Sequence, residues 1–423
     1  MNKKKRIIFA VAIALVLVAG WALVNMSNYN DTQSSQKEQT ATTAPQQNEA
    51  SLTNNLQKAE ETVKNSLVRS SGGKVTRKKV EKYNLSLHEA SFYEQLGKTG
   101  KVACRLCPHS CVLDEGETGH CRVRANVEGK LRSLVYARPI TMHLDPIEKK
   151  PFFHFQPTEK TLSVATAGCN MRCRNCQNWH ISQLSPFEMD EVKVRSPKEI
   201  IKLAKSNNAD IISYTYNDPI VFYEYMFDIA KLAHANDIKN TMVTAGHINK
   251  KPLRKLCQYM DAVTLDVKGM TNEFYRRFNT GRLDPVLDAL KVIDEEGVWL
   301  EVSYLVIPGE NDSEKDFKKF SKWVKDNLGH GTPVHFLRFF PKFKMKSKPA
   351  TPVSTLEQAR GIALETGLDY VYLGNVRNSD AENTYCPNCN KKIIDRSGYR
   401  INELHIDGGK CAYCGTSING IWK

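Results

Sequence analysis

The chain has 423 residues, 41% apolar and 25% charged, which is length for two or three domains rather than one continuous core. The formal net charge of +14 invites nucleic acid or anionic lipid, but the basic patch at residues 74–82 comes with no RNA-binding signature or interleaved aromatics; no nucleic acid is expected, and a solvated segment beside a membrane is the simpler reading. Twelve cysteines, in three clusters plus Cys257, are too few and too clustered for a disulfide scaffold and point to metals in a reducing setting.

Residues 1–26 come first. Lys3, Lys4, Lys5 and Arg6 precede an unbroken apolar run, Ile7 to Val24, which at about 1.5 Å per helical residue nearly matches a hydrocarbon core of about 30 Å. The expectation is an uncleaved transmembrane helix that meets the lipid bilayer through residues 7–24, making the protein membrane-anchored and single-pass; a signal peptide would have a shorter apolar stretch and a small-x-small site. The side on which the rest of the chain lies stays open. The positive flank puts the amino terminus in the cytoplasm and the rest outside, whereas clustered thiols persist best in a reducing cytoplasm. Residues 27–85, rich in Ser, Thr, Gln and Asn, read as a disordered tether.

Residues 86–155 form a cysteine-rich lobe. Cys104, Cys107, Cys111 and Cys121 make C-x2-C-x3-C-x9-C in a turn-rich stretch with Gly116 and Gly119, a closed four-thiolate set that suits zinc or an auxiliary iron–sulfur cluster. From 156 to 375, apolar runs near residues 161–167, 210–216, 240–245, 261–267, 300–307, 334–339 and 370–373 alternate with amphipathic stretches, which predicts βαβ units, a parallel sheet and chemistry at the strand ends. Directly after the first run, Cys169, Cys173 and Cys176 stand at C-x3-C-x2-C. Closed zinc sites take four protein ligands and iron–sulfur clusters normally take four thiolates, so three thiols in one loop leave a position open. Later strand ends carry Asn217-Asp218, able to bind an ammonium group or to close an Asx turn at Pro219. They also carry Asp266 and Lys268, ligand contacts or a rim salt bridge, and the isolated His335. Residues 376–423 hold Cys386-x2-Cys389 and Cys411-x2-Cys414 with 21 residues between, close to a zinc ribbon. Cys257, in a helical pattern, reads as core.

From about His88 onward the chain resembles the radical S-adenosylmethionine (SAM) enzymes of the AmmeMemoRadiSam system, a group similar to pyruvate formate-lyase activating enzymes. The words that carry the resemblance are HEASFYEQL, CRLCPHSC, LDPIEKKPFFHF, CQNW, YTYNDP, LDVKG, VIPGEND and LGNV followed by NTYCPNC. It implies a [4Fe-4S] cluster on Cys169, Cys173 and Cys176 whose fourth iron takes SAM. It assigns SAM contacts to Asp266 and Lys268, places His335 near the nucleoside, and sets Asn217-Asp218 where relatives hold the SAM amino group. Two departures stand out: Asn175 where an aromatic is usual, and Asp218 where Glu is common.

The fold class expected is α/β: a partial (β/α) radical SAM barrel between small cysteine-rich lobes, plus the N-terminal transmembrane helix. The function expected is reductive cleavage of SAM to a 5′-deoxyadenosyl radical, with an electron donor as partner and Memo-type and AMMECR1-type proteins as companions. Glycyl-radical activation of a partner protein and a non-enzymatic iron–sulfur or zinc electron-transfer module are the alternatives. The polar strand ends argue against the module, which has no use for them.

Overall fold

The computed structural model describes residues 73–190, 192–376 and 379–422. Its centre is one sheet in which seven parallel strands run in chain order: β1 (Lys160–Ala165), β2 (Ile211–Tyr214), β3 (Lys239–Thr244), β4 (Ala262–Val267), β5 (Trp299–Val306), β6 (Val334–Arg338) and β7 (Val371–Gly374). An antiparallel strand, Thr141–Pro146, pairs with β1 and forms the other edge. The parallel strands are buried on both faces, for example all four residues of β2, which is why they read as apolar runs rather than as alternation.

The helices between strands are cut by local signals. Ser196 caps Pro197–Ser206 in a reciprocal box with Glu199, Ser313 caps Glu314–Leu328, and Val353–Thr366 ends on the left-handed Gly367. Their apolar faces join one large core with the sheet. Cys257 is buried in that core, as expected.

Two small lobes flank the sheet. The first has two three-stranded antiparallel sheets. It begins before residue 86: the helix Arg77–Lys82, capped by Thr76, buries Val80 against Ala125, Val127 and Leu134, so residues 75–85, assigned to the tether, pack on the lobe. The second lobe is a three-stranded sheet over residues 384–404 followed by a short hairpin.

The transmembrane part of the expected fold, and the membrane-anchored location with it, is corrected. No helix among the described residues is long and apolar enough to cross a membrane. The longest, Glu314–Leu328, has 15 residues and spans about 22 Å against a hydrocarbon core of about 30 Å, and it carries charged residues throughout. The run at residues 7–24 lies outside the described residues.

Candidate active site

The carboxyl ends of the parallel strands converge on a cavity of about 1400 Å³. It is lined by all three thiols of the C-x3-C-x2-C loop and by Asn217, Asp218, Asp266, Lys268 and His335. Residues more than 160 positions apart in the chain thus share one wall, as strand-end residues of a β/α barrel do.

The thiol loop is held from several sides. Its start, Gly168, has φ +82°, and a Cβ there would lie 2.5 Å from Val123 Cγ1 and 2.6 Å from the Cys121 carbonyl oxygen, so only glycine lets the loop approach the N-terminal lobe. The backbone N–H groups of Arg172 and Arg174 donate to the carbonyls of Asn279 and Phe278 at 2.8 and 3.0 Å. Burial pushes the pKa of all three thiols up. Each sulfur has a polar neighbour: Cys169 accepts from the Met171 N–H at 3.3 Å, Cys173 from Asn279 Nδ2 at 3.0 Å, and Cys176 meets the Ser182 hydroxyl at 3.1 Å. Three soft ligands, Cys169 buried and Cys173 and Cys176 half-buried, each with a polar neighbour on its sulfur, fit an iron–sulfur cluster, whose behaviour is set by such contacts.

The other predicted residues divide by how occupied they are. Asn217 donates to the carbonyls of Thr166 and Gly168 at 2.9 and 2.6 Å, tying β2 to the thiol loop, and its buried Oδ1 has no partner. Asp218 accepts from Thr244 Oγ1 at 2.9 Å and from the N–H groups of Ile220 and Ala245 at 3.2 Å each; the Ile220 contact is the turn anticipated at Pro219. Burial raises its pKa although these donors pull the other way. Lys268 Nζ pairs with Asp266 at 2.7 Å, a salt bridge that also faces the cavity, and Ser303 donates to the other Asp266 oxygen. Burial opposes the Lys268 charge, but Asp266 and the Cys173 sulfur more than offset it, so its pKa rises.

His335 is 1% exposed. It is hydrogen-bonded to Glu301 at 2.7 Å and stacked on Tyr372 with ring centroids 5.2 Å apart. Glu301, fully buried on β5, also accepts from the backbone N–H groups of Phe153 and His154 at 3.0 and 2.8 Å, and burial is outweighed by these donors so its pKa falls.

Several site residues went unread in the sequence. Asp145 pairs with Lys149 and Lys150 at 2.8 and 2.7 Å and accepts from Tyr216 at 2.5 Å, and Lys150 and Tyr216 both line the cavity. Burial lowers Lys150 to a pKa of about 8 despite its pairing with Asp145. Asn311 clamps the end of β4 by donating to the Lys268 carbonyl at 2.9 Å, which is the physical content of the VIPGEND word. The signals available were the words LDPIEKKPFFHF, YTYNDP and VIPGEND, which contain Asp145, Lys150, Tyr216 and Asn311, and Glu301 as a carboxylate inside an apolar strand.

At the C-terminal lobe, the sulfurs of Cys386, Cys389, Cys411 and Cys414 lie within 4.8 Å of one another, with Cys386 to Cys414 at 3.6 Å and Cys389 to Cys411 at 3.8 Å. Among the contacts that wire the lobe to the barrel is a continuous hydrogen-bond chain. Arg396 donates to Thr384 Oγ1 at 2.6 Å, Thr384 meets the Tyr372 hydroxyl at 2.8 Å, Tyr372 meets His154 Nε2 at 2.5 Å, and His154 Nδ1 donates to the Asn419 carbonyl at 2.5 Å. The direction is fixed by its ends, since a guanidinium only donates and a carbonyl only accepts.

Three soft ligands beside a ring of polar strand ends define a cofactor-dependent enzyme on a partial β/α barrel. Residues 163–321 match the family model of the radical SAM superfamily. An uncharacterized protein of Methanocaldococcus jannaschii is 43% identical over 337 residues, 79% of this chain and 99% of that one. The pyruvate formate-lyase-activating enzyme of Clostridium pasteurianum is 21% identical over 164 residues, 38% of this chain and 67% of its own. A domain of the pyruvate-formate lyase-activating enzyme of Bacteroides vulgatus is similar with a TM-score of 0.35 and 16% identity, covering 38% of this chain and 98% of that one. The chain belongs to the radical SAM superfamily and is an activating-enzyme-like enzyme of it. That family implies a [4Fe-4S] cluster and SAM as cofactors.

Proposed function

We propose that Cys169, Cys173 and Cys176 hold the [4Fe-4S] cluster and that the chain cleaves SAM reductively to start hydrogen abstraction from a substrate in the same cavity. The observation that carries this reading is the cavity itself, which gathers the three thiols and the polar ends of β2, β4 and β6. When bound, the cluster supplies one electron from an external donor, and SAM supplies the 5′-deoxyadenosyl radical. The protein's part is binding and orientation. Asn217 offers its unpartnered Oδ1, and Asp218 its negative charge, to the SAM ammonium group. Lys268 and Asp266 meet the SAM carboxylate and ribose, and His335, locked by Glu301, flanks the nucleoside. The shorter side chain of Asp218 is already engaged by Thr244, which makes Asn217 the more available of the pair.

The C-terminal four-thiol set is assigned zinc. A tetrahedral Zn–S bond of about 2.3 Å gives sulfur separations of about 3.8 Å, as the ribbon sulfurs have. Membership of the AmmeMemoRadiSam system, with Memo-type and AMMECR1-type partners, rests on the ordered sequence words. Activation of a glycyl-radical protein is the second reading, favoured by the relatives named activating enzymes.

The test is anaerobic reconstitution of the full chain followed by reduction with SAM present. The parent should release 5′-deoxyadenosine and Cys173→Ala should release none, because the cluster needs its thiolates. SAM cleavage by the variant at the parent rate would sink the assignment.

A further inference from the structure

The four thiols of the N-terminal lobe surround a second, more enclosed space. Cys104, Cys107, Cys111 and Cys121 line it, with apolar walls from Leu106, Leu113, Ile220 and Val221. The ribbon's sulfurs are gathered to within 4.8 Å of one another, and among the described residues no other set of three or more His, Cys or carboxylate ligands is gathered that tightly. The N-terminal four therefore face one space without closing on a point. A single zinc ion needs its ligands closed on a point; an iron–sulfur core, with an iron under each thiolate, needs them apart.

Two further features fit a larger guest. A Cβ on Gly119 would sit in ordinary van der Waals contact with Cys111 Sγ at 3.6 Å and Cys121 Sγ at 3.8 Å, so the missing side chain leaves the space beside two ligands unfilled. Arg124 also lines the space, 2% exposed and bidentate to the buried Glu224 at 2.9 and 3.0 Å, yet its Nε–H has no partner. A buried unpartnered donor calls for an acceptor, and cluster sulfur is one.

We propose that Cys104, Cys107, Cys111 and Cys121 hold a second iron–sulfur cluster, of the [4Fe-4S] type, rather than zinc. It sits against the SAM-site loop: Asn170, between Cys169 and Cys173, lines the same space, and the Cys121 carbonyl is where a Cβ on Gly168 would collide. Four protein thiolates leave no iron open, so this centre does not compete for SAM.

The full chain carrying Cys169→Ala, Cys173→Ala and Cys176→Ala, reconstituted anaerobically with ferrous iron and sulfide, should retain about four irons and four sulfides per chain. Adding Cys104→Ser and Cys121→Ser should remove them. If the triple variant is insoluble, the unsubstituted chain decides: about eight irons are expected, and about four overturn the proposal. A triple variant that is folded but iron-free, or one that carries a second zinc beyond the ribbon's, overturns it equally.

Discussion

The two flanking lobes carry the same four residues and use them differently. In the ribbon the thiols close on a point, with Cys386 and Cys411 buried and Cys414 exposed. In the N-terminal lobe they ring an apolar space shared with the barrel, and Cys104 and Cys121 are buried. The spacing of cysteines along a chain thus marks a candidate thiol site, while the packing around it says how much room a guest would have.

The largest expected effect separates the lobes by their dependence on metal. Cys386→Ser with Cys389→Ser should release one zinc and unfold residues 379–422, because binding free energy in small zinc modules, on the order of 10 kcal/mol, is folding free energy. Metal analysis and limited proteolysis check this. A lobe that stays protected without its zinc would erase the contrast.

Next comes Arg124→Ala. It leaves Glu224 charged and buried without its partner, and a cost of about 3–5 kcal/mol in denaturant unfolding is expected. Replacement of both by apolar residues should recover much of that loss.

Acid should act on the ribbon seam. Burial, opposed in part by Glu301, depresses His154 to a pKa of about 4 from an ordinary value near 6.5. Between those values the unfolded chain binds a proton that the native chain refuses, so stability is full above about pH 6.5 and is lost as pH falls towards about 4. The contribution is at most about 3 kcal/mol. Unfolding measured from pH 7 to 4.5 should slope less in His154→Gln than in the parent; equal slopes would remove His154 as the cause.

The smallest effect belongs to the ribbon's outer face. Lys392→Ala breaks an exposed pair with Asp395 and should leave the denaturation midpoint within error.

The legible parts of the molecule were those with short-range signatures. Doubly buried parallel strands show as apolar runs, and thiol loops show as fixed spacings, so β1 to β7 and all three cysteine sets could be read before any coordinates. The edge strand Thr141–Pro146 was not, because it mixes buried Asp145 with exposed Leu144 and has no period. Nor were the pairings that complete the site: Glu301 with Phe153 and Arg396 with the Phe153 carbonyl join residues 148 and 243 positions apart, and nothing local announces such partners.

The turn Ser397–Tyr399 of the ribbon forms part of the cavity wall. On the zinc assignment proposed for that ribbon, metal supply would govern the doorway rather than the engine. A chelator that strips the ribbon site would change which molecules enter, and how freely, while the three-thiol loop elsewhere on the cavity wall kept its own ligands.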